Sequence, residues 1–89
     1  MTAPEMTIYT TAWCPFCMRA KALLQRKGIA FREIDVEAGR ELRQEMIARS
    51  GGRRTVPQVF VGETHLGGSE ELAAAEQSGA LDQMLGTSA

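Results

Sequence analysis

The sequence predicts an α/β fold in which a strand–helix–strand unit precedes a strand–strand–helix unit. The β-prone runs Met6–Thr10 and Ile29–Val36 flank a segment of helical composition. Two strands joined in this way pair in parallel through a right-handed crossover. Farther along, two short β-prone runs are joined by a tight turn and precede an Ala-rich helical segment. This second pattern predicts an antiparallel hairpin followed by a helix.

The first helix is predicted from the helical composition between Cys17 and Lys27 and from Gly28, which ends it. Pro15 suits the first helical position, where no backbone N–H is needed, so Cys14 becomes the N-cap. In a strand–helix–strand unit the functional site lies at the carboxyl end of the first strand. The two cysteines therefore fall where a site is expected.

The next elements follow from apolar periodicity and from turn residues. A second helix is expected from about Gly39 to Arg49, with Ser50-Gly51-Gly52 ending it. A third strand from Val56 to Val61 turns through Gly62-Glu63 into a short fourth strand around His65-Leu66. These two strands form the predicted hairpin.

The last part of the chain is predicted to be helical. Gly67-Gly68 is expected to break the fourth strand, and Ser69 to cap a helix that ends at Gly79. Ala80 to Leu85 is expected to add one turn of helix, and Gly86 to Ala89 to be frayed. The prediction is one domain spanning residues 1–89, with a core from about 6 to 85.

Composition narrows the function classes. The chain has 89 residues, a formal charge of −1 and 24% charged residues, so neither a nucleic-acid partner nor a polybasic membrane anchor is expected. No apolar run approaches the ~20 residues of a membrane span. Because Met1 to Glu5 is too short and polar for a signal peptide, we expect a cytoplasmic location.

The two cysteines, Cys14 and Cys17, predict a redox dithiol. A thiolate at the N-cap accepts hydrogen bonds from the unpaired N–H groups of Phe16 and Cys17 and lies at the positive end of the helix dipole. Both effects favour the thiolate over the thiol. Residues three apart share a helix face, so Cys17 can close a disulfide with Cys14. We expect Cys14 to attack and Cys17 to resolve.

A metal site is the alternative interpretation of this pair. In a reducing cytosol a Cys-x-x-Cys motif is more often catalytic or metal-binding than structural. The chain offers only two cysteines and a single histidine, His65. A closed tetrahedral zinc or copper site would therefore need ligands from another molecule.

Three motifs together resemble the glutaredoxins over nearly the whole chain, from about Met6 to Leu85. They are Cys-Pro-Phe-Cys at the first helix, Thr-Val-Pro before the third strand, and Gly-Gly before the last helix. The resemblance implies a thioredoxin-like fold, a four-stranded mixed sheet flanked by helices. Within that family, the proline and the aromatic residue between the cysteines are similar to the dithiol class.

The resemblance also implies a glutathione site. It places a cis peptide before Pro57, a backbone pairing partner for a peptide-like thiol at Val56, and a γ-glutamyl carboxylate on the N–H groups of Ser69 and Glu70. The Glu70 side chain would accept from the ammonium of glutathione. Many members carry a lysine where this chain has Thr11. The implied glutathione-binding residues are Thr11, Phe16, Arg53, Thr55, Val56, Pro57, Gly68, Ser69 and Glu70.

By the same resemblance we expect a glutathione-dependent thiol–disulfide oxidoreductase that reduces protein disulfides and protein–glutathione mixed disulfides. We expect it to be a monomer that takes glutathione as co-substrate and needs no bound metal or prosthetic group. The principal alternative is a dimer in which two copies of Cys14 and two glutathiones hold a [2Fe–2S] cluster. A protein reduced by thioredoxin reductase and a copper chaperone are further alternatives.

Overall fold

The computed structural model describes residues 4–86 of the chain. Strands and helices alternate in the first half, and a hairpin precedes two helices in the second. The elements are β1 (Met6–Thr10), α1 (Pro15–Arg26), β2 (Phe31–Asp35), α2 (Arg40–Arg49), β3 (Gln58–Val61), β4 (Thr64–Gly67), α3 (Ser69–Ser78) and α4 (Ala80–Met84).

The four strands form one mixed sheet in the order β2-β1-β3-β4. β1 pairs in parallel with β2 and antiparallel with β3, and β3 pairs antiparallel with β4. This is the thioredoxin-like sheet, so the predicted fold class is confirmed. Its topology places the carboxyl end of β1 beside the start of β3, and the loops at that edge carry the candidate site.

β1 is buried along its whole length because helices cover both faces of the sheet. Successive side chains of a strand point to opposite faces. Met6 and Ile8 accordingly lie in one apolar cluster with Leu24 of α1 and Leu72 of α3. Tyr9 lies in the other cluster, on the opposite face. The strand β1 therefore packs between two layers of helix, and this packing positions the loop that follows β1 and leads into α1.

Several predicted strand boundaries are corrected. β2 spans Phe31–Asp35 instead of Ile29–Val36. β3 begins at Gln58 instead of Val56, since Pro57 has no N–H to donate to a ladder. Gly67 is the last residue of β4 and does not break the strand.

The N-cap of α3 is also corrected, because it is Gly68 and not Ser69. The Glu71 carboxylate accepts the Gly68 N–H at 2.6 Å, which is the half of a capping box that the third helical residue supplies. The expected fraying of the C-terminus falls mainly on residues 87–89, which lie outside the described part of the chain. Between residues 4 and 86, no helix is long and apolar enough to cross a membrane.

Candidate active site

The dithiol lies at the N-terminus of α1, as predicted. Cys14 is the N-cap, with extended backbone, and Pro15 opens the helix. The Cys17 N–H donates to the Cys14 sulfur at 3.2 Å. Both cysteines are free thiols. The Cys14 sulfur therefore has both a helix N-terminus and a directed N–H group to stabilise negative charge.

The two thiols differ in their surroundings. Cys17 is fully buried, whereas 9% of Cys14 is exposed. Burial raises the pKa of the Cys17 thiol to about 12, and the neighbouring Cys14 thiol adds to this increase. Cys17 is therefore held as a thiol at neutral pH, and a thiol is a poor nucleophile. This difference supports the assignment of Cys14 as the attacking residue.

The loop before β3 approaches the dithiol from the other side. The Val56–Pro57 peptide bond is cis, as the resemblance implied. The Cys14 thiol donates to the Val56 carbonyl oxygen at a sulfur–oxygen distance of 3.8 Å. The buried Gln58 side chain steadies this loop, because its amide nitrogen donates to the Thr55 carbonyl oxygen at 3.0 Å.

His65 belongs to this supporting structure. Its Nε2 lies 2.6 Å from Gln58 Oε1, and its ring packs on Phe60 at a centroid distance of 4.9 Å. Burial lowers its pKa. His65 thus contacts Gln58 and Phe60, both of which are fully buried.

A cavity of about 270 Å³ opens between α1, the loop before β3 and the start of α3. It brings together eight of the nine residues that the sequence assigned to glutathione, with Glu71 as the added member. The lining residues are Phe16, Arg53, Thr55, Val56, Pro57, Gly68, Ser69, Glu70 and Glu71.

Glu71 is the residue that the sequence analysis missed. Its Oε1 accepts from the Gly68 N–H at 2.6 Å and from Arg53 Nη1 at 3.2 Å. The Gly68 hydrogen bond holds the pKa of the Glu71 carboxyl below its usual value. A signal was present, because a glutamate three residues after an N-cap is the second half of a capping box. Assigning the cap to Ser69 moved that position to Leu72 and hid the motif.

Thr11 is the one predicted residue outside the lining of this cavity. Its backbone instead hydrogen-bonds to the Cys17 sulfur, an interaction that lowers the pKa of that thiol. The structure therefore places Thr11 against the buried cysteine. A contact between Thr11 and glutathione stays a prediction.

Three large apolar side chains close to the cysteines in the sequence are exposed, and one of them, Phe16, lines the cavity. Trp13 is 94% exposed, and Phe16 and Met18 are each more than half exposed. Arg19 stacks over the Phe16 ring at 5.5 Å. Within residues 4–86, no group of three or more His, Cys, Asp and Glu side chains could hold a metal ion. A site completed by ligands from other molecules is a separate case.

The comparisons with known proteins agree with this geometry. The glutaredoxin family profile matches residues 6–66. A glutaredoxin of Pseudomonas aeruginosa is 56% identical over 82 residues, which cover 92% of this chain and 96% of the relative.

Among solved structures, the Brucella melitensis glutaredoxin superposes with a TM-score of 0.82 at 52% identity, covering 96% of this chain and 91% of that one. The buckwheat glutaredoxin–glutathione complex gives a TM-score of 0.83 at 26% identity, covering 93% and 77% of the two chains. The reduced Cys-Pro-Phe-Cys motif at the start of α1 is consistent with these matches. The chain therefore belongs to the glutaredoxins, a family of thiol–disulfide oxidoreductases.

Proposed function

We propose that this protein is a glutathione-dependent oxidoreductase that reduces protein disulfides and protein–glutathione mixed disulfides. The observation that carries the proposal is the cavity beside Cys14, with a peptide loop on one side and a helix N-terminus on the other. Those two features complement the cysteinyl backbone and the γ-glutamyl carboxylate of glutathione. Membership of the glutaredoxin family supports the same substrate class.

The loop before β3 would bind the cysteinyl part of glutathione. The Val56 carbonyl oxygen already lies 3.8 Å from the Cys14 sulfur. A peptide-like substrate whose sulfur is bonded to Cys14 brings its own backbone to the same place. It can then pair with the Val56 backbone as a short added strand.

The start of α3 would bind the γ-glutamyl end. The Gly68 N–H is taken by Glu71, whereas the N–H groups of Ser69 and Glu70 have no intrahelical acceptor. Two such groups at a helix N-terminus suit a carboxylate. The exposed Glu70 side chain would accept from the neighbouring ammonium group.

Arg53 would serve the site in two ways. Its Nη1 is bonded to Glu71, which offsets a negative charge that would otherwise repel the carboxylates of glutathione. A guanidinium has five N–H donors, so others are available to a ligand carboxylate.

A Cβ built on Gly68 would lie 3.4 Å from the Pro57 carbonyl oxygen and 3.5 Å from Arg53 Nη2. The absence of a side chain at Gly68 therefore keeps this part of the cavity open.

The reaction begins with attack of the Cys14 thiolate on a substrate disulfide. One sulfur–sulfur bond forms and one breaks, so that the first substrate sulfur leaves as a thiolate. With a protein disulfide, Cys17 then attacks the mixed disulfide, releases the second substrate thiolate and leaves a Cys14–Cys17 disulfide, which two glutathiones reduce. With a glutathionylated protein, Cys14 takes the glutathione, and a second glutathione releases it as glutathione disulfide.

Both routes run on one chain, so we propose a monomer as the active form. The electrons come from glutathione, and the reaction needs no other redox group. The glutathione-ligated [2Fe–2S] dimer remains the alternative function.

The test is the turnover of a glutathionylated peptide, with glutathione disulfide measured as the product and a visible spectrum recorded on the anaerobically purified protein. We expect a colourless protein whose rate rises with glutathione and saturates. Turnover with thioredoxin reductase and none with glutathione would contradict the proposal. An inactive brown protein would favour the cluster-binding alternative.

A further inference from the structure

Lys21 lies one helical turn after Cys17 and on the same face of α1. Its ammonium group forms a salt bridge with Glu33 of strand β2, in which Lys21 Nζ lies 2.9 Å from Glu33 Oε2. That same oxygen accepts the hydroxyl of the buried Thr10 at 2.7 Å. The Thr10 hydrogen bond lowers the pKa of the Glu33 carboxyl. Glu33 is thus an ionised, anchored partner that fixes where the Lys21 charge lies.

Opposing interactions act on the Cys17 thiol. Burial raises its pKa most, and the hydrogen bond and charge of Cys14 raise it further. The Thr11 backbone hydrogen bond and the Lys21 charge lower it. Lys21 is the cationic side chain among these groups.

Reaction at Cys14 changes this balance. When the Cys14 sulfur is bonded to a substrate sulfur, it carries neither a negative charge nor a thiol proton. Both contributions of Cys14 to the Cys17 thiol then disappear, while Thr11 and Lys21 remain. The resolving step needs a thiolate at Cys17, because the thiolate is the nucleophile in disulfide exchange.

We propose that Lys21, held in place by Glu33, is a positioning residue for the resolving step, in which it stabilises the Cys17 thiolate once Cys14 carries a mixed disulfide. In that step Cys17 loses its proton to water, forms a bond to the Cys14 sulfur and displaces the substrate sulfur as a thiolate. Electrons balance, since one disulfide replaces another. The proposal rests on the roles proposed for the two cysteines and is independent of glutathione binding.

The experiment separates the two steps with dithiobis(nitrobenzoate), an aromatic disulfide that releases a coloured thiolate at each step. In stopped-flow measurements on the reduced protein, the first release reports attack by Cys14 and the second reports resolution by Cys17. The variants are Lys21→Met, Lys21→Gln and the charge-preserving Lys21→Arg. The matched control is Lys27→Met, since Lys27 is the C-cap residue of α1 and pairs with Glu76 and Asp82.

We expect the second release to slow by about threefold to tenfold in Lys21→Met and Lys21→Gln, with the first release unchanged. The pH profile of the second release should move to higher pH in both variants. Lys21→Arg should restore the native rate, and Lys27→Met should leave both steps as in the native protein. Thermal unfolding measured alongside should show folded variants throughout.

A second release that keeps its native rate in Lys21→Met, or that slows equally in Lys21→Arg, would overturn the role of Lys21. Equal slowing of both releases would do the same, because it indicates a general structural effect. Cys17→Ser should show only the first release. If it shows both, the roles of the cysteines are wrong as well, and that result is distinct from a failure at Lys21 alone.

Discussion

At the scale of single residues, the site depends on the unequal surroundings of two cysteines. The Cys14 sulfur receives an N–H from the first turn of α1 and lies 3.8 Å from the carbonyl oxygen of Val56, which lines the cavity. The Cys17 sulfur lies beneath it, with no exposed surface. One thiol is therefore placed to meet a substrate, and the other is placed to meet only Cys14.

Limited alkylation should distinguish the two thiols. Burial and the hydrogen bond with Cys14 raise the pKa of Cys17 to about 12, so this residue is almost entirely a thiol near pH 8. A short treatment of the reduced protein with iodoacetamide should add one label, on Cys14. Peptide mapping by mass spectrometry gives the position. Equal labelling of Cys17 at early times would contradict the assignment.

Glu70 should contribute to glutathione affinity and little to the chemical step. Its exposed carboxylate is proposed to accept from the ligand ammonium, and Glu70→Gln replaces a charged acceptor by a neutral one. We expect KM for glutathione to rise about tenfold, equivalent to about 1.4 kcal/mol, with kcat nearly unchanged. Glu63→Gln, in the exposed turn between β3 and β4, is the matched control. Equal KM values for the two variants would exclude the proposed contact.

At the scale of elements, the junction of β4 and α3 shapes the cavity. Gly67 has φ of +128°, in the region that favours glycine. A Cβ there would lie 2.6 Å from both Cβ and Cγ of Glu71. The close approach lets Glu71 fold back over the strand end and accept the Gly68 N–H. Glycine at position 67 thus sets the conformation of the helix N-terminus.

Gly67→Ala should destabilise the protein more than Gly51→Ala. Both glycines have positive φ, but a Cβ on Gly51 would meet nothing within 4 Å, so this control carries only the backbone cost of about 1 kcal/mol. At Gly67 the clash adds to it, and we expect a loss of about 2–4 kcal/mol. Urea unfolding measures both variants. Equal losses would mean that Glu71 moves aside freely.

The N-termini of α1 and α3 show where the sequence predicts a helix cap correctly and where it does not. The sequence predicts Cys14 as an N-cap because Pro15 fixes the first helical position locally. For α3 it predicts the cap one residue late, at Ser69, since a serine is a strong local signal for a cap. The competing contact, from Glu71 to the Gly68 N–H, depends on how far β4 extends, and local residue preferences do not determine that length.

At the scale of the whole molecule, long-range contacts position the site. The Tyr9 hydroxyl donates to Glu45 Oε2 at 2.5 Å and accepts from Arg49 Nη1 at 2.8 Å, across more than 35 residues of chain. Arg49 also stacks over Phe60 at 4.3 Å. These contacts tie α2 to the central strands. Nothing in the spacing of these residues predicts the cluster, because the sheet register and the helix orientation create it together.

The cavity, too, forms only when distant parts of the chain come together in the fold. The sequence indicated eight of its lining residues through a family resemblance, but their meeting in one place is a property of the folded chain. The resemblance also implied Thr11, but this residue does not line the cavity, and its backbone instead hydrogen-bonds to Cys17. The extent of the domain, about residues 6–85, stays a prediction.

Phe60→Ala should remove a large part of the stability. Phe60 is fully buried and packs edge-to-face on Tyr9 at a centroid distance of 5.5 Å. Truncation of such a side chain costs about 3–5 kcal/mol, against a total of about 5–15 kcal/mol for a typical domain. Urea unfolding would measure the loss, with the exposed Thr64→Ala as control. A loss below about 1 kcal/mol would show that the cluster on this face of the sheet contributes little.

The proposed function requires that Cys14 alone perform the glutathione-dependent step. The most direct measurement is the glutathione-coupled reduction of a glutathionylated peptide by the native protein, Cys14→Ser and Cys17→Ser. We expect Cys14→Ser to abolish turnover and Cys17→Ser to retain it, because the second glutathione replaces Cys17. Retained activity in Cys14→Ser, or its complete loss in Cys17→Ser, would rule out the proposed role of Cys14.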